Sequence, residues 1–274
     1  MAPWPELLEK QKRNYAQQGL DWKRVARTRI FPQLPERWPR IRRLHRELRR
    51  SIPGSWAKAR RALDFDLPVR FVLYVGVGCG AGWATQYEGQ AACLLGLENA
   101  VELPTLRGGS TVVPHEVAHI AHDHWRRRRG LGGIDAGRGP YWQLYVEGFA
   151  TAVERRIAGP GAFRRRTGRS DWLAWCEDHR SWLAKKFLSD LRRHRSMRPF
   201  FGSWYDIRGY RESGYWLGAE VVATLEATRS WRQLATLPER TVRNLMRSGV
   251  EELALPDARR SSRAGRVGPP STSG

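Results

Sequence analysis

At 274 residues the chain is long enough for one large domain or two small ones with a buried core. Cys79, Cys93 and Cys176 are too few and too widely spaced for a disulfide framework or a cysteine zinc site, which points to a reducing compartment and a cytoplasmic protein. The formal charge of +21 admits nucleic acid, an anionic membrane or an acidic protein as partner; yet 42 of the 48 basic residues are Arg, spread through the chain as a GC-rich coding genome would leave them.

The N-terminus, MAPWPELLEKQKRNYAQQG, lacks the apolar core of a secretory signal. No segment is apolar for long enough to span a bilayer. Residues 1–63 read as a helical, amphipathic region broken by prolines at 32, 35, 39 and 53. Within it, RIRRLHRELRR (40–50) sets Ile41, Leu44 and Leu48 at helical spacing among arginines, a scaffold helix with a solvated basic face. His45 stands alone on this helix and reads as no ligand.

The period then changes. VRFVLYVGV (69–77) is β-branched and aromatic and has the length of a strand. Gly76, Gly78, Gly80 and Gly82 follow in a loop that must turn tightly or admit another backbone; no Lys-Ser or Lys-Thr follows, so it is no phosphate loop. Residues 84–87 and 91–97 form two more short strands joined around Glu88-Gly89. If one of these strands lies at a sheet edge beside the site described next, it can hold an extended peptide through main-chain hydrogen bonds.

VVPHEVAHIAHDHWRRRR (112–129) contains His115-Glu116-x-x-His119. Two imidazoles four residues apart share one helical face and can grip one metal ion, with Glu116 placed to take a proton from an attacking water. Thr111 serves as N-cap, Pro114 falls in the first turn, arginines 126–129 suit the C-terminal end of the helix dipole, and Gly130 stops the helix. Catalytic zinc takes three protein ligands as a rule. His124 is turned about 180° from His115 by the 3.6-residue period. His122 lies on the right face but about 10 Å further along the axis, which makes it a cleft or outer-layer residue. After a Gly-rich loop (130–140), YWQLYVEGFATAVERRI (141–157) is helical again, bounded by Pro140 and by Gly159-Pro160. Glu147 lies beside its apolar stripe next to the small Gly148 and Ala150, and by helix position it reads equally as third ligand or as an exposed carboxylate.

Residues 170–195 continue the helical pattern, residues 198–212 form a loop, Ser213 to about Glu226 is a helix, and a short helix lies near 238–248. Most of the 13 tryptophans occupy helical apolar positions, the signature of an aromatic core. The Arg-rich tail 257–274 is expected to be disordered.

A helix bearing HExxH followed by a helix bearing Glu resembles the gluzincin metallopeptidases, which include thermolysin-like and aminopeptidase N-like enzymes. Glu147-Gly148-Phe149-Ala150 is similar to the E-G-F-A segment that carries the third ligand in the aminopeptidase N-like branch. The closer resemblance is to a bacterial family of predicted zinc-dependent proteases, formerly a domain of unknown function. It rests on YVGVGCGAGWATQYEGQAACLLGLE, HEVAH, VEGFA and GYWLGAEVV, and spans roughly residues 65–226. It implies Zn2+ held by His115, His119 and Glu147, Glu116 as general base and proton shuttle, and an oxyanion-stabilising Tyr215 in the G-Y-x-x-G segment, with Tyr210 as second choice. The chain lacks the G-A-M-E-N segment that binds a free amine, which leaves endopeptidase or another hydrolase activity open.

The expected fold is α+β and mostly helical, with a small sheet preceding a zincin-type pair of active-site helices and a helical C-terminal part. The expected regions are helical 1–63, a zincin-like metallopeptidase domain 64–256, and the tail 257–274. The expected reaction is hydrolysis of a peptide or protein substrate. The competing reading is a basic helical protein that binds nucleic acid or another anion and in which the HExxH is non-catalytic; its mark would be binding that weakens steeply with salt.

Overall fold

The computed structural model describes residues 4–102, 112–159, 169, 171–202 and 205–256. Thr111, Pro160, Ser170 and the tail 257–274 lie outside the described residues. The fold is α+β and mostly helical. Among the described residues no helix is long and apolar enough to cross a membrane.

Helix α1 (Pro5–Gln17) is followed by α2 (Trp22–Val25), a π turn (Ala26–Ile30), a 3₁₀ turn (Phe31–Gln33) and α3 (Leu34–Leu63). Contrary to the expectation from the sequence, Pro39 and Pro53 do not break α3, which runs for 30 residues through both. Ile41, Leu44, Leu48, Ile52, Ala59 and Leu63 dock its inner face into the main core. Each large apolar side chain gains about 1.5–3 kcal/mol by burial, and together they outweigh a cost of about 3 kcal/mol for each proline.

The sheet has three strands, β1 (Arg70–Tyr74), β2 (Gly82–Tyr87) and β3 (Gln90–Gly96), in the order β1-β3-β2. β3 pairs parallel with β1 and antiparallel with β2, so β2 is an edge strand. Glu88 and Gly89 join β2 to β3 with φ of 49° and 74°, the two positive angles that a two-residue hairpin turn requires.

The glycine-broken segment between β1 and β2 is tied down by side chains from three elements. Gln11 Oε1 accepts from the Val77 N–H at 2.9 Å, and the Tyr15 hydroxyl donates to the Val77 carbonyl at 2.8 Å. From α4 (Leu97–Ala100), Glu98 Oε1 accepts from the Gly78 N–H at 3.0 Å and Asn99 Nδ2 donates to the Gly80 carbonyl at 3.0 Å. Trp83 Nε1 closes the turn on the Cys79 carbonyl at 2.6 Å. Gly78 and Gly80 take φ of 89° and 74°, where a side chain would be strained. Burial pushes the Glu98 carboxyl upward, a cost that its hydrogen bonds from the backbone N–H groups reduce.

Two long helices, α5 (Val112–Arg128) and α6 (Pro140–Ala158), pack on one another, and α5 also covers β2 and β3. The remaining helices are α7 (Trp172–Asp178), α8 (Arg180–Arg192), α9 (Arg198–Phe201), α10 (Ser213–Glu226), α11 (Trp231–Ala235) and α12 (Glu239–Leu253). The expected loop 198–212 thus holds a short helix and an Ile207–Tyr210 bridge, and the last helix runs five residues past its expected end at Ser248. Trp172 and Trp216 are wholly buried, whereas Trp4 and Trp38 stand 60% and 49% exposed.

Arg126 differs from a solvated helix-end arginine. It is buried, lies over the Trp142 ring at 4.4 Å, and donates to the Leu237 carbonyl at 2.8 Å, tying α5 to the end of α11.

His122 is also a core residue, not a cleft residue: it faces α6, with Phe149 and Tyr145 ring centroids at 4.6 and 5.6 Å. Among the described residues neither ring nitrogen has a well-formed hydrogen bond. Burial, then the Arg126 charge, depress its affinity for a proton well below that of a free imidazole. A native state that keeps this ring neutral loses stability as pH falls below the unfolded value of about 6.5, because only the unfolded chain takes up the proton. His122→Leu removes that proton uptake and two unpaired buried nitrogens. Urea melts with chelator present should show the wild type losing more stability than the variant between pH 7 and pH 5; equal losses would refute this account of His122.

Candidate metal centre

His115 and His119 sit one turn apart on the face of α5 that looks at α6, and both are buried. Their Nε2 atoms are 3.1 Å apart. Glu147 on α6 brings Oε2 to 3.6 Å from His115 Nε2 and 3.5 Å from His119 Nε2. Ligand atoms at about 2.0–2.1 Å from a tetrahedral zinc ion stand about 3.3–3.4 Å apart, so these three atoms have the spacing of one coordination sphere. Two ring nitrogens and a carboxylate oxygen thus gather within 3.6 Å of one another. Glu147 Oε2 is buried there with no hydrogen-bond partner among the described residues, an arrangement that a cation would satisfy. His115, His119 and Glu147 could therefore hold a metal ion.

Burial pushes the Glu147 carboxyl upward, but the facing His119 and His115 imidazoles pull it down further, leaving it well below the usual carboxylate range. The site is thus poised to hold an anionic oxygen between two imidazoles.

Glu154 belongs to the same cluster and was not anticipated from the sequence. It is 2% exposed, and its Oε2 lies 3.2 Å from His115 Nδ1. A carboxylate on Nδ1 holds the proton there and leaves the Nε2 lone pair free for a metal. The signal was present: Glu154 follows Glu147 by seven residues, two turns along α6, on the same face. Its neighbours Arg155 and Arg156 disguised it as part of a charged helix end. Glu154→Ala should weaken metal affinity about 10–100-fold, and Glu154→Gln, which can still accept from Nδ1, by less. Equal affinity in wild type and Glu154→Ala, by titration against a chromophoric chelator, would show that it does not support His115.

Glu116 is 6% exposed and lines the cleft. A Cβ on Gly82 would lie 2.5 Å from Glu116 Oε1, so the first residue of β2 must be glycine to leave that carboxylate its place. Tyr215 on α10 lies across the cleft, its ring stacked on His115 with centroids 5.9 Å apart and planes at 24°. Backbone contact between helices positions it: a Cβ on Gly148 would meet the Gly218 carbonyl carbon at 2.4 Å, and one on Gly218 the Leu144 oxygen at 2.2 Å. The small residues beside Glu147 thus admit α10, and a Cβ at Gly148 or Gly218 would force the helices apart. Tyr210 lies elsewhere. Its hydroxyl donates to Asp171 at 2.7 Å and accepts from Arg169 at 3.0 Å, with its ring stacked on Trp175. His124 packs on Phe65 at 5.5 Å and takes no part in the cluster.

The cleft over the cluster has a volume of about 850 Å³. Beyond His119 it adjoins a hollow of about 230 Å³ along Ala84–Gln86, and beyond Tyr215 one of about 560 Å³ along Gly78–Trp83. Edge strand β2 therefore runs along a trough that extends to both sides of the cluster. No family model matches the chain, and comparison with curated proteins and with solved structures returns no similar protein.

Proposed function

We propose that the chain is a zinc-dependent metallopeptidase of the gluzincin type, with His115, His119 and Glu147 as metal ligands and Glu116 as general base. The observation that carries this reading is Glu147 Oε2, buried without a hydrogen-bond partner among the described residues and nearly equidistant from the Nε2 atoms of His115 and His119, with Glu116 next to His115 in sequence. A two-imidazole, one-carboxylate set with tetrahedral spacing suits zinc.

Zinc held there would supply Lewis acidity toward the attacking water and the scissile carbonyl. Glu116 takes the proton of that water and passes it to the leaving amine, the work of a positioned carboxylate in the wall of the cleft. The Tyr215 hydroxyl donates to the carbonyl oxygen as negative charge collects on it. Glu154 holds His115 in the tautomer that the reaction needs. The outer edge of β2 offers main-chain groups to an extended peptide, and the trough on both sides of the cluster favours internal bonds over chain ends. The three free, buried cysteines fit a cytoplasmic setting.

Incubation with an unfolded protein such as reduced, alkylated casein tests the reading. Internal cleavage that a chelator abolishes and zinc restores is the expected result. Cleavage indifferent to the chelator, or none by the zinc-loaded chain across a panel of unfolded proteins, contradicts it.

A further inference from the structure

The helical run 22–63 turns one face to solvent that the core does not use. Across the 3₁₀ turn and the first turns of α3, Phe31 and Trp38 are 47% and 49% exposed, and Pro32, Pro35 and Pro39 are exposed beside them in the sequence. Among the described residues the large hydrophobic side chains that stand exposed are Trp4, Phe31, Trp38 and Val75, so half of them fall within two helical turns. Single exposed hydrophobics are ordinary; a cluster of two aromatics and three prolines is not.

Arginines follow directly. Arg42, Arg43, Arg46, Arg49 and Arg50 are exposed on the next turns of α3, and none of them pairs with a carboxylate among the described residues. The ion pairs of α3 are those of Arg37 and Arg40 with Glu102 and of Arg60 with Asp66, while its own Glu36 and Glu47 leave these five unneutralised. On α12, by contrast, Arg243 pairs with Glu239 at 3.2 Å and Arg247 with Glu251 at 3.0 Å. An Arg-rich coding bias explains arginines on both helices; what α3 adds is five of them within nine residues, exposed and unpaired among the described residues, directly after the apolar cap. Residues 42–50 cover about 12 Å of helix axis, close to the Debye length of about 8–10 Å, so the five charges act as one patch.

We propose that this face of α3 docks the protein on an anionic lipid bilayer, the aromatic and proline cap entering the boundary between headgroups and acyl chains and the arginines lying over lipid phosphates. On a nucleic-acid duplex the same arginines would meet phosphates, but the apolar cap would gain nothing from them. A bilayer interface rewards both, and Trp is a side chain it favours. The inference is independent of the metal centre.

Sedimentation of the full chain with vesicles tests it. The chain should bind phosphatidylcholine vesicles that contain phosphatidylglycerol, and not phosphatidylcholine alone. Phe31→Ser/Trp38→Ser should weaken binding about tenfold. At about fivefold per arginine, Arg42→Gln/Arg46→Gln/Arg49→Gln should weaken it about a hundredfold. Arg240→Gln/Arg243→Gln/Arg247→Gln, which removes the same charge from α12, should cost less than about fivefold. All the positions are exposed, and circular dichroism verifies that each variant is folded. Equal losses in the two arginine variants would reduce the effect to net charge and overturn the proposal. So would binding that ignores the aromatic substitutions, or tighter binding to a DNA or RNA oligonucleotide that depends on the same arginines but not on Phe31 and Trp38.

Discussion

Glu116→Gln should lower the turnover of a peptide substrate by about 10²–10⁴-fold while leaving bound zinc and KM unchanged. At 1.36 kcal/mol per factor of ten this is about 3–5 kcal/mol of lost transition-state stabilisation. Gln has the shape of Glu and fits the same place against Gly82, so packing is preserved. What it loses is the capacity to accept a proton. Glu116 is not among the three residues that converge on the metal position, so zinc content should not change. The separation of the two readouts carries the argument: a variant that lost zinc together with activity would make Glu116 a ligand or a structural support, and one that kept full activity would remove it from the reaction.

Glu147→Ala should act on the other readout. Zinc sites reach apparent binding energies of about 10–16 kcal/mol, and an even share among four positions is about 2.5–4 kcal/mol, or on the order of 10²–10³-fold in affinity. His119→Ala should lose at least as much, since it removes one of the two neutral donors. Glu147→Gln, which keeps an oxygen but not its charge, should fall between wild type and Glu147→Ala. Competition with a chromophoric chelator measures all three. Wild-type affinity in Glu147→Ala would take Glu147 out of the coordination sphere and return it to an ordinary half-buried carboxylate.

The local parts of this site were legible in the sequence and the long-range parts were not. His115, Glu116 and His119 follow from helical spacing alone, because four residues make one turn whatever surrounds the helix. Glu147 carries no such signal. A single carboxylate beside an apolar stripe looks the same whether it faces solvent or a metal, and resemblance to a known segment, not periodicity, singled it out. Glu154 had a signal two turns from Glu147, but adjacent arginines hid it.

The position of β2 at the sheet edge could not be read at all, since β3 inserts between β1 and β2 and strand order depends on pairings distant in sequence. Pro39 and Pro53 fail to break α3 because local propensity takes no account of the six side chains that the helix buries. Arg126 and His122 depart from expectation for a related reason. The sequence marks Arg126 as a helix-end charge and His122 as a cleft residue, whereas the packing of α6 and α11 against α5 takes both into the interior.

The central claim is that two imidazoles and one carboxylate of this chain hold zinc. X-ray absorption at the zinc edge of the wild-type protein, purified without chelator, tests that most directly. The expected spectrum shows about one zinc per chain, two imidazole nitrogens and light oxygen ligands at about 2.0–2.1 Å, and no sulfur. A protein free of zinc, or a zinc ion bound through cysteine sulfur, would contradict the claim.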